Sequence, residues 1–272
     1  MSDPLERIAA ALEALVPGQA EPIDWASAPA YVWTGLTARP VERIEAPALD
    51  QLKGIERQKQ AVAQNVARLA AGAAAHDMLL WGARGMGKSA LVRAATVAAQ
   101  AGDASRLALV QVAADALPSL PALFARLRSE PRAFLVYLDD LGFAEGDTVG
   151  PRHLRSWLEG GVEARPANVR LAVTSNRRAI VPRHLSEQDD PVNPRDALDD
   201  LQALADRFGL SIGFHAASQD DYLAIVAAYA DPLGLSWEPG DALEWTKRRG
   251  ARSGRTAWQY VTELAGRAGR EL

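Results

Sequence analysis

Apolar residues at Leu5, Ile8, Leu12 and Leu15 recur at helical spacing, so residues 3–16 predict a short amphipathic helix ended by Pro17 and Gly18. A proline-bearing stretch then runs to Leu49, with a second helix expected over Ala28–Leu36. From Leu52 the pattern becomes an alternation of helical segments and short apolar runs. Helices are predicted over Ile55–Ala71, Ser89–Ala99, Pro121–Arg128, Leu154–Glu159 and Leu198–Arg207. Between them, Met78–Trp81, Leu107–Val112, Phe134–Leu138, Val169–Thr174 and Leu210–Phe214 predict five strands. Continuous apolar runs such as Phe134–Leu138 fit strands covered on both faces. Strands alternating with helices argue for a three-layer α/β domain around a parallel sheet. Beyond Ser218 only helical spacing recurs, over Gln219–Ala230, Asp241–Arg249 and Thr256–Ala268. The chain therefore divides into an N-terminal extension (1–49), an α/β core (50–217) and a helical unit (218–272).

One turn in this pattern carries chemistry. Gly82-Ala83-Arg84-Gly85-Met86-Gly87-Lys88-Ser89 fits G-x-x-x-x-G-K-[ST], and it follows a strand and opens a helix, as that motif requires. Its glycines let backbone N–H groups converge on phosphate oxygens, and the helix from Lys88 through Ala90 adds its positive end. Lys88 is expected on the β- and γ-phosphates and the Ser89 hydroxyl on Mg²⁺. The apolar run Phe134–Leu138 ends in Asp139 and Asp140. On a neighbouring parallel strand Asp139 would reach the metal through water, and Asp140 would orient or deprotonate the attacking water. Glu145 is a rival for that base, since Asp140 is one methylene shorter than the Glu of many hydrolysing relatives.

Composition narrows the alternatives. The 272 residues are 48% hydrophobic, enough apolar mass for a core, with a net charge of −4 that announces no nucleic-acid field. Cysteine is absent, which excludes disulfides, zinc ribbons and thiol catalysis. His76, His153, His184 and His215 lie in four separate segments without metal-ligand spacing, and no G-x-S-x-G elbow occurs. No apolar run is long enough to span a bilayer, and the acidic start lacks signal-peptide features, so a cytoplasmic protein is expected. Lys accounts for only four of the 30 basic residues, so its place in the phosphate loop is informative.

With both motifs in hand, the chain resembles the AAA+ superfamily of P-loop ATPases. More narrowly it is similar to a bacterial AAA+ family of ATP-binding proteins without an assigned role. The likeness rests on LKGIERQK at 52–59, LLWGARGMGKSALVRA at 79–94 and VYLDDLGFAEGD at 136–147, and it continues through LEGGVEARPANVRLAVTSNRR at 158–178, LADRFGLSIGF at 204–214 and RSGRTAWQYV at 252–261. It implies a five-stranded nucleotide-binding core with a C-terminal helical lid, binding ATP or ADP with Mg²⁺. It further implies Asn176 as the sensor-1 residue near the lytic water and Arg207 as an arginine finger reaching a neighbouring subunit. Arg255 would be a sensor-2 contact to the γ-phosphate, and Gly54 and Ile55 would line the adenine pocket.

Three functions follow: an oligomeric ATPase that remodels a protein client, a slow or non-hydrolysing ATP-dependent switch, and a nucleic-acid-associated initiator or loader. For the last, Arg177, Arg178, Arg183 and His184 and the run Lys247–Arg255 could contact phosphates, but the near-neutral charge does not favour it. A nucleotide kinase would need an acceptor-binding module, which the chain does not display.

Overall fold

A computed structural model describes residues 23–142, 154, 156, 158, 165–176 and 207–272. The helices expected over 3–16 and 198–207, together with Glu145, Asp206 and the basic run 177–184, lie outside these residues apart from Arg207 itself.

Seven strands form one sheet: β1 (Ala30–Trp33), β2 (Ala38–Val41), β3 (Met78–Gly82), β4 (Leu107–Val112), β5 (Ala133–Leu138), β6 (Val169–Ser175) and β7 (Leu210–Phe214). Their order is β2-β1-β4-β5-β6-β3-β7, with every pairing parallel except β1 with β2. Six helices accompany them among the described residues: α1 (Glu56–Ala70), α2 (Lys88–Gln100), α3 (Leu120–Leu127), α4 (Gln219–Ala230), α5 (Pro239–Arg249) and α6 (Gly254–Arg267).

The alternation of strand side chains separates two cores. Met78 and Leu80 of β3 and Leu135 and Tyr137 of β5 join α1, α2, α4 and α6 on one face. Leu79, Phe134, Val136 and Leu138 turn to the other face, against α3. The five strands of the core fall where the apolar runs place them, and the parallel three-layer architecture holds.

Residues 28–36 differ from expectation, because they form β1 and not a helix. Tyr31, Val32 and Trp33 are β-formers, and the strand completes the edge of the sheet by pairing with β4. The sheet therefore has seven strands where five were expected. The buried Arg132 fastens this addition. Its Nη1 donates to the carbonyls of Trp25 (2.7 Å) and Ala28 (2.8 Å), and its Nη2 to those of Ala104 (2.6 Å) and Leu107 (2.8 Å). Trp33 Nε1 adds a bond to Ser119 Oγ at 2.7 Å.

Candidate functional site

The carboxyl ends of β5, β6 and β3 lie side by side, and each ends in residues singled out above. Glycine is required where β3 turns into the loop. Gly82 has φ +127°, and a Cβ there would run into the carbonyl oxygen of Phe214, which accepts from the next amide, Ala83, at 2.9 Å. Gly87, also at positive φ, starts α2, so Lys88 and Ser89 occupy its first turn.

Lys88 is buried and folded back on its own loop. Its Nζ donates to Gly82 O (2.9 Å), Ala83 O (2.8 Å) and Asn176 Oδ1 (3.1 Å). Burial lowers its pKa below the ordinary 10.5; the charges of Asp140 and Asp139 oppose that, while Arg255 and Arg84 add to it. An ammonium desolvated in this way gains when a phosphate arrives beside it.

From Lys88 the hydrogen bonds run on in a circuit. Asn176 Nδ2 donates to Asp140 Oδ1, and the Asp140 amide donates to Thr174 Oγ1 at 2.8 Å. The Thr174 hydroxyl donates to Asp139 Oδ1 at 2.7 Å, and Ser89 Oγ donates to the same oxygen at 2.7 Å. Burial would raise the Asp139 pKa. Tyr137, Ser89 and Thr174 hydroxyls and the Arg93 charge outweigh it, holding the carboxylate below its ordinary 3.8. The Tyr137 hydroxyl itself is buried beside the acid without a well-formed hydrogen bond.

Among the described residues no group of three or more His, Cys, Asp or Glu could hold a metal unaided. The Ser89 hydroxyl and Asp139 carboxylate do converge as hard oxygen donors, the set a Mg²⁺ takes when phosphates and water complete its shell. The donor chemistry fits that ion.

The loop also meets the C-terminal helices. The Arg255 amide, in the first turn of α6, donates to Gly85 O at 3.2 Å. Gly85 has φ +76°, and a Cβ on it would lie 2.8 Å from Ser253 Oγ. Ile55, Met86 and Gly87 line a cavity of about 20 Å³ with Leu52, Ile225 and Tyr229. That volume holds about one water. Gly54 is outside its lining and instead turns against Asp221 of α4, whose Cβ would be 3.0 Å from one on Gly54.

Arg207 is not brought to this loop. It lies at the opposite end of the sheet, in an open groove of about 480 Å³ with His76, Asp77, Arg165, Arg170 and Gly209. Sequence reasoning missed Thr174 and Ser253. A signal for the former was available: Thr174 directly follows the apolar run Leu171–Val173 near the end of its strand.

Solved structures share this fold at low identity. The Holliday junction branch migration motor RuvB of Thermotoga maritima superposes with a TM-score of 0.55 at 16% identity, covering 82% of this chain and 66% of that one. Aeropyrum pernix Orc1, solved in complex with DNA, gives 0.55 at 16% identity, covering 82% and 65%. The chain thus spans just under two thirds of the length of either. No curated protein matches the sequence. The fold is that of the AAA+ P-loop ATPases. Residues 26–268 match the family described as Protein of unknown function (DUF815), and the chain belongs to that family.

Proposed function

We propose that this chain is an ATPase that binds MgATP at the phosphate loop and couples its hydrolysis to movement of the helical unit 218–272 against the α/β core. The observation that carries this reading is the hydrogen-bonded circuit joining Lys88, Asn176, Asp140, Asp139 and Ser89 at the carboxyl edge of a parallel sheet. Such edges are where open α/β sheets take their ligands.

In this reading the loop amides and Lys88 bind the phosphates, with Ser89 and Asp139 holding the cation. Mg²⁺, when bound, neutralises charge on the β- and γ-phosphates. Asp140 orients the attacking water and Asn176 keeps it near the γ-phosphate. Arg255, on the helix that touches Gly85, carries the phosphate's presence to the helical unit. Ile55, Met86 and Gly87 receive the base once α4 and α6 draw away from the loop, because a space of about 20 Å³ does not admit a purine.

Arg207, remote from its own loop, supports assembly into a head-to-tail oligomer in which it serves a neighbour's site. A cytoplasmic setting accords with the finding that no helix among the described residues is long and apolar enough to cross a membrane. The partner moved by the cycle is a protein client.

A second reading, a slow switch, draws on Asp140. Its carboxylate is bound to Asn176 and its backbone has φ +51°. A base tied down in this way turns over slowly until it is released. The DNA named in the description of Orc1, and the Holliday junction named in that of RuvB, are the reason to include nucleic acid among the partners tested.

ATP turnover per subunit, measured as protein concentration rises, tests the main reading with Lys88→Ala as the blank. A rate per subunit that climbs with concentration, and drops in Arg207→Ala without loss of ATP binding, is the expected result. ATP binding with a rate at the blank level at every concentration would leave the switch.

A further inference from the structure

Thr174 has a position that no other residue of the circuit has. It belongs to β6, the strand between β3, which feeds the phosphate loop, and β5, which ends in the two acids. Its Cα partner on β3 is Leu80, while its side chain faces the turn after β5. It is 1% exposed, so its hydroxyl must find partners within the protein.

A threonine hydroxyl offers one hydrogen and two lone pairs. Here the hydrogen goes to Asp139 Oδ1 at 2.7 Å, and the Asp140 amide is accepted at 2.8 Å. The main-chain carbonyl of Thr174 accepts from the Leu141 amide at 2.7 Å. One residue thus holds a group on each of three successive positions of the turn. Asp140 sits in that turn with φ +51°, a conformation uncommon for side-chain-bearing residues, though aspartate enters it more readily than most.

We propose that Thr174 is a positioning residue for the metal–nucleotide site, setting the distance between Asp139 and Ser89 and holding Asp140 in its left-handed turn. The proposal rests on reading the site as one for MgATP. Its physical content is a division of labour at Asp139. Two hydroxyls donate to the same carboxylate oxygen, Ser89 from the loop and Thr174 from β6. When the Ser89 hydroxyl turns to a cation, the Thr174 bond remains and keeps the carboxylate aimed at the loop. Thr174 also couples the acids, since the oxygen that orients Asp139 is the one that receives the Asp140 amide. Valine has nearly the shape of threonine but offers neither bond, leaving the Asp140 amide without its acceptor.

The test is calorimetric binding of the non-hydrolysable analogue in which NH bridges the β- and γ-phosphorus atoms, with and without Mg²⁺. Wild type is expected to bind more tightly when Mg²⁺ is added. Thr174→Val should lose at least tenfold of that gain, with Mg²⁺-free affinity within twofold of wild type and the melting temperature lowered by only a few degrees. Thr174→Ser, which keeps the hydroxyl, should restore the gain to within threefold. A Thr174→Val protein with the full Mg²⁺ gain, or a Thr174→Ser protein without it, overturns the proposal. So does a uniform fall in melting temperature and both affinities, which would mark Thr174 as merely structural. If Thr174→Val does not fold, Thr174→Cys takes its place, because a thiol is a weak hydrogen-bonding group. Wild type that binds no analogue, or gains nothing from Mg²⁺, would overturn the site reading itself, a failure separate from that of Thr174.

Discussion

Arg132 and Lys88 are both buried cations that donate to main-chain carbonyls, and both have a pKa lowered by burial. They differ in what holds the carbonyls. Those around Arg132 come from the segments at Trp25–Ala28 and Ala104–Leu107, distant in sequence and fixed on either side of the sheet edge. Those around Lys88 belong to its own glycine-bearing loop, and its third acceptor is the side chain of Asn176. Carboxylate charges act on both, that of Asp103 on Arg132 and those of Asp140 and Asp139 on Lys88. A guanidinium whose forked donors are met by fixed carbonyls works as a staple. An ammonium on a single flexible stem, resting on acceptors it can leave, is ready to be exchanged for a ligand. In the proposed reading the same burial serves stability at one end of the core and chemistry at the other.

The contrast is sharpest in the pair of substitutions that remove the charges. Arg132→Met should cost about 3 kcal/mol of unfolding free energy in a urea titration, because four carbonyls lose donors at once. A loss below about 1 kcal/mol would mean that water replaces the staple and the comparison fails. Lys88→Met should weaken nucleotide binding roughly 100-fold, a change of about 2.7 kcal/mol, while the free protein's stability moves by less than about 1 kcal/mol. A free Lys88→Met protein as destabilised as Arg132→Met would make Lys88 a staple too.

Gly85→Ala probes the loop's contact with α6. The added Cβ meets Ser253 Oγ at 2.8 Å, and φ +76° strains any side chain, so a cost of about 1–2 kcal/mol is expected. It should show as faster hydrogen exchange at the Arg255 amide, with Arg132's surroundings unaffected. The smallest effect concerns Asp139. Its folded pKa lies below the ordinary 3.8, so the stability it adds is complete above that pH and is lost as pH falls through the folded value. The stability gap between wild type and Asp139→Asn should therefore close in acid unfolding below about pH 4 and stay constant near neutrality.

Much of this was legible in the residues, for reasons that differ by element. A run such as Phe134–Leu138 announces itself because a strand buried on both faces is apolar throughout. The phosphate loop was readable because it needs glycine, lysine and a hydroxyl at fixed spacing. β1 was not readable, since Ala30–Trp33 is four residues long and becomes a strand only because β4 offers an edge and Arg132 anchors the segment. Thr174 was passed over for a related reason: its role depends on β6 lying between β3 and β5, and strand order leaves no trace in local sequence. Asp140 was judged by its reach alone. Its left-handed backbone suggests another reason for aspartate over glutamate, because short polar side chains tolerate that region best.

The antiparallel pair β1–β2 has a consequence for how this molecule keeps to itself. β2 is the terminal strand on its side, four residues long, with Arg39 and Pro40 both exposed. Proline lacks the amide that a further strand would bind, and the charge beside it discourages close approach, so growth of the sheet stops here. A chain shortened to begin at residue 50 would keep the phosphate loop but uncover β4, an apolar strand of six residues with its edge unpaired. Such a fragment should stick to its own kind and precipitate, a hazard that the twelve residues from Ala30 to Val41 remove.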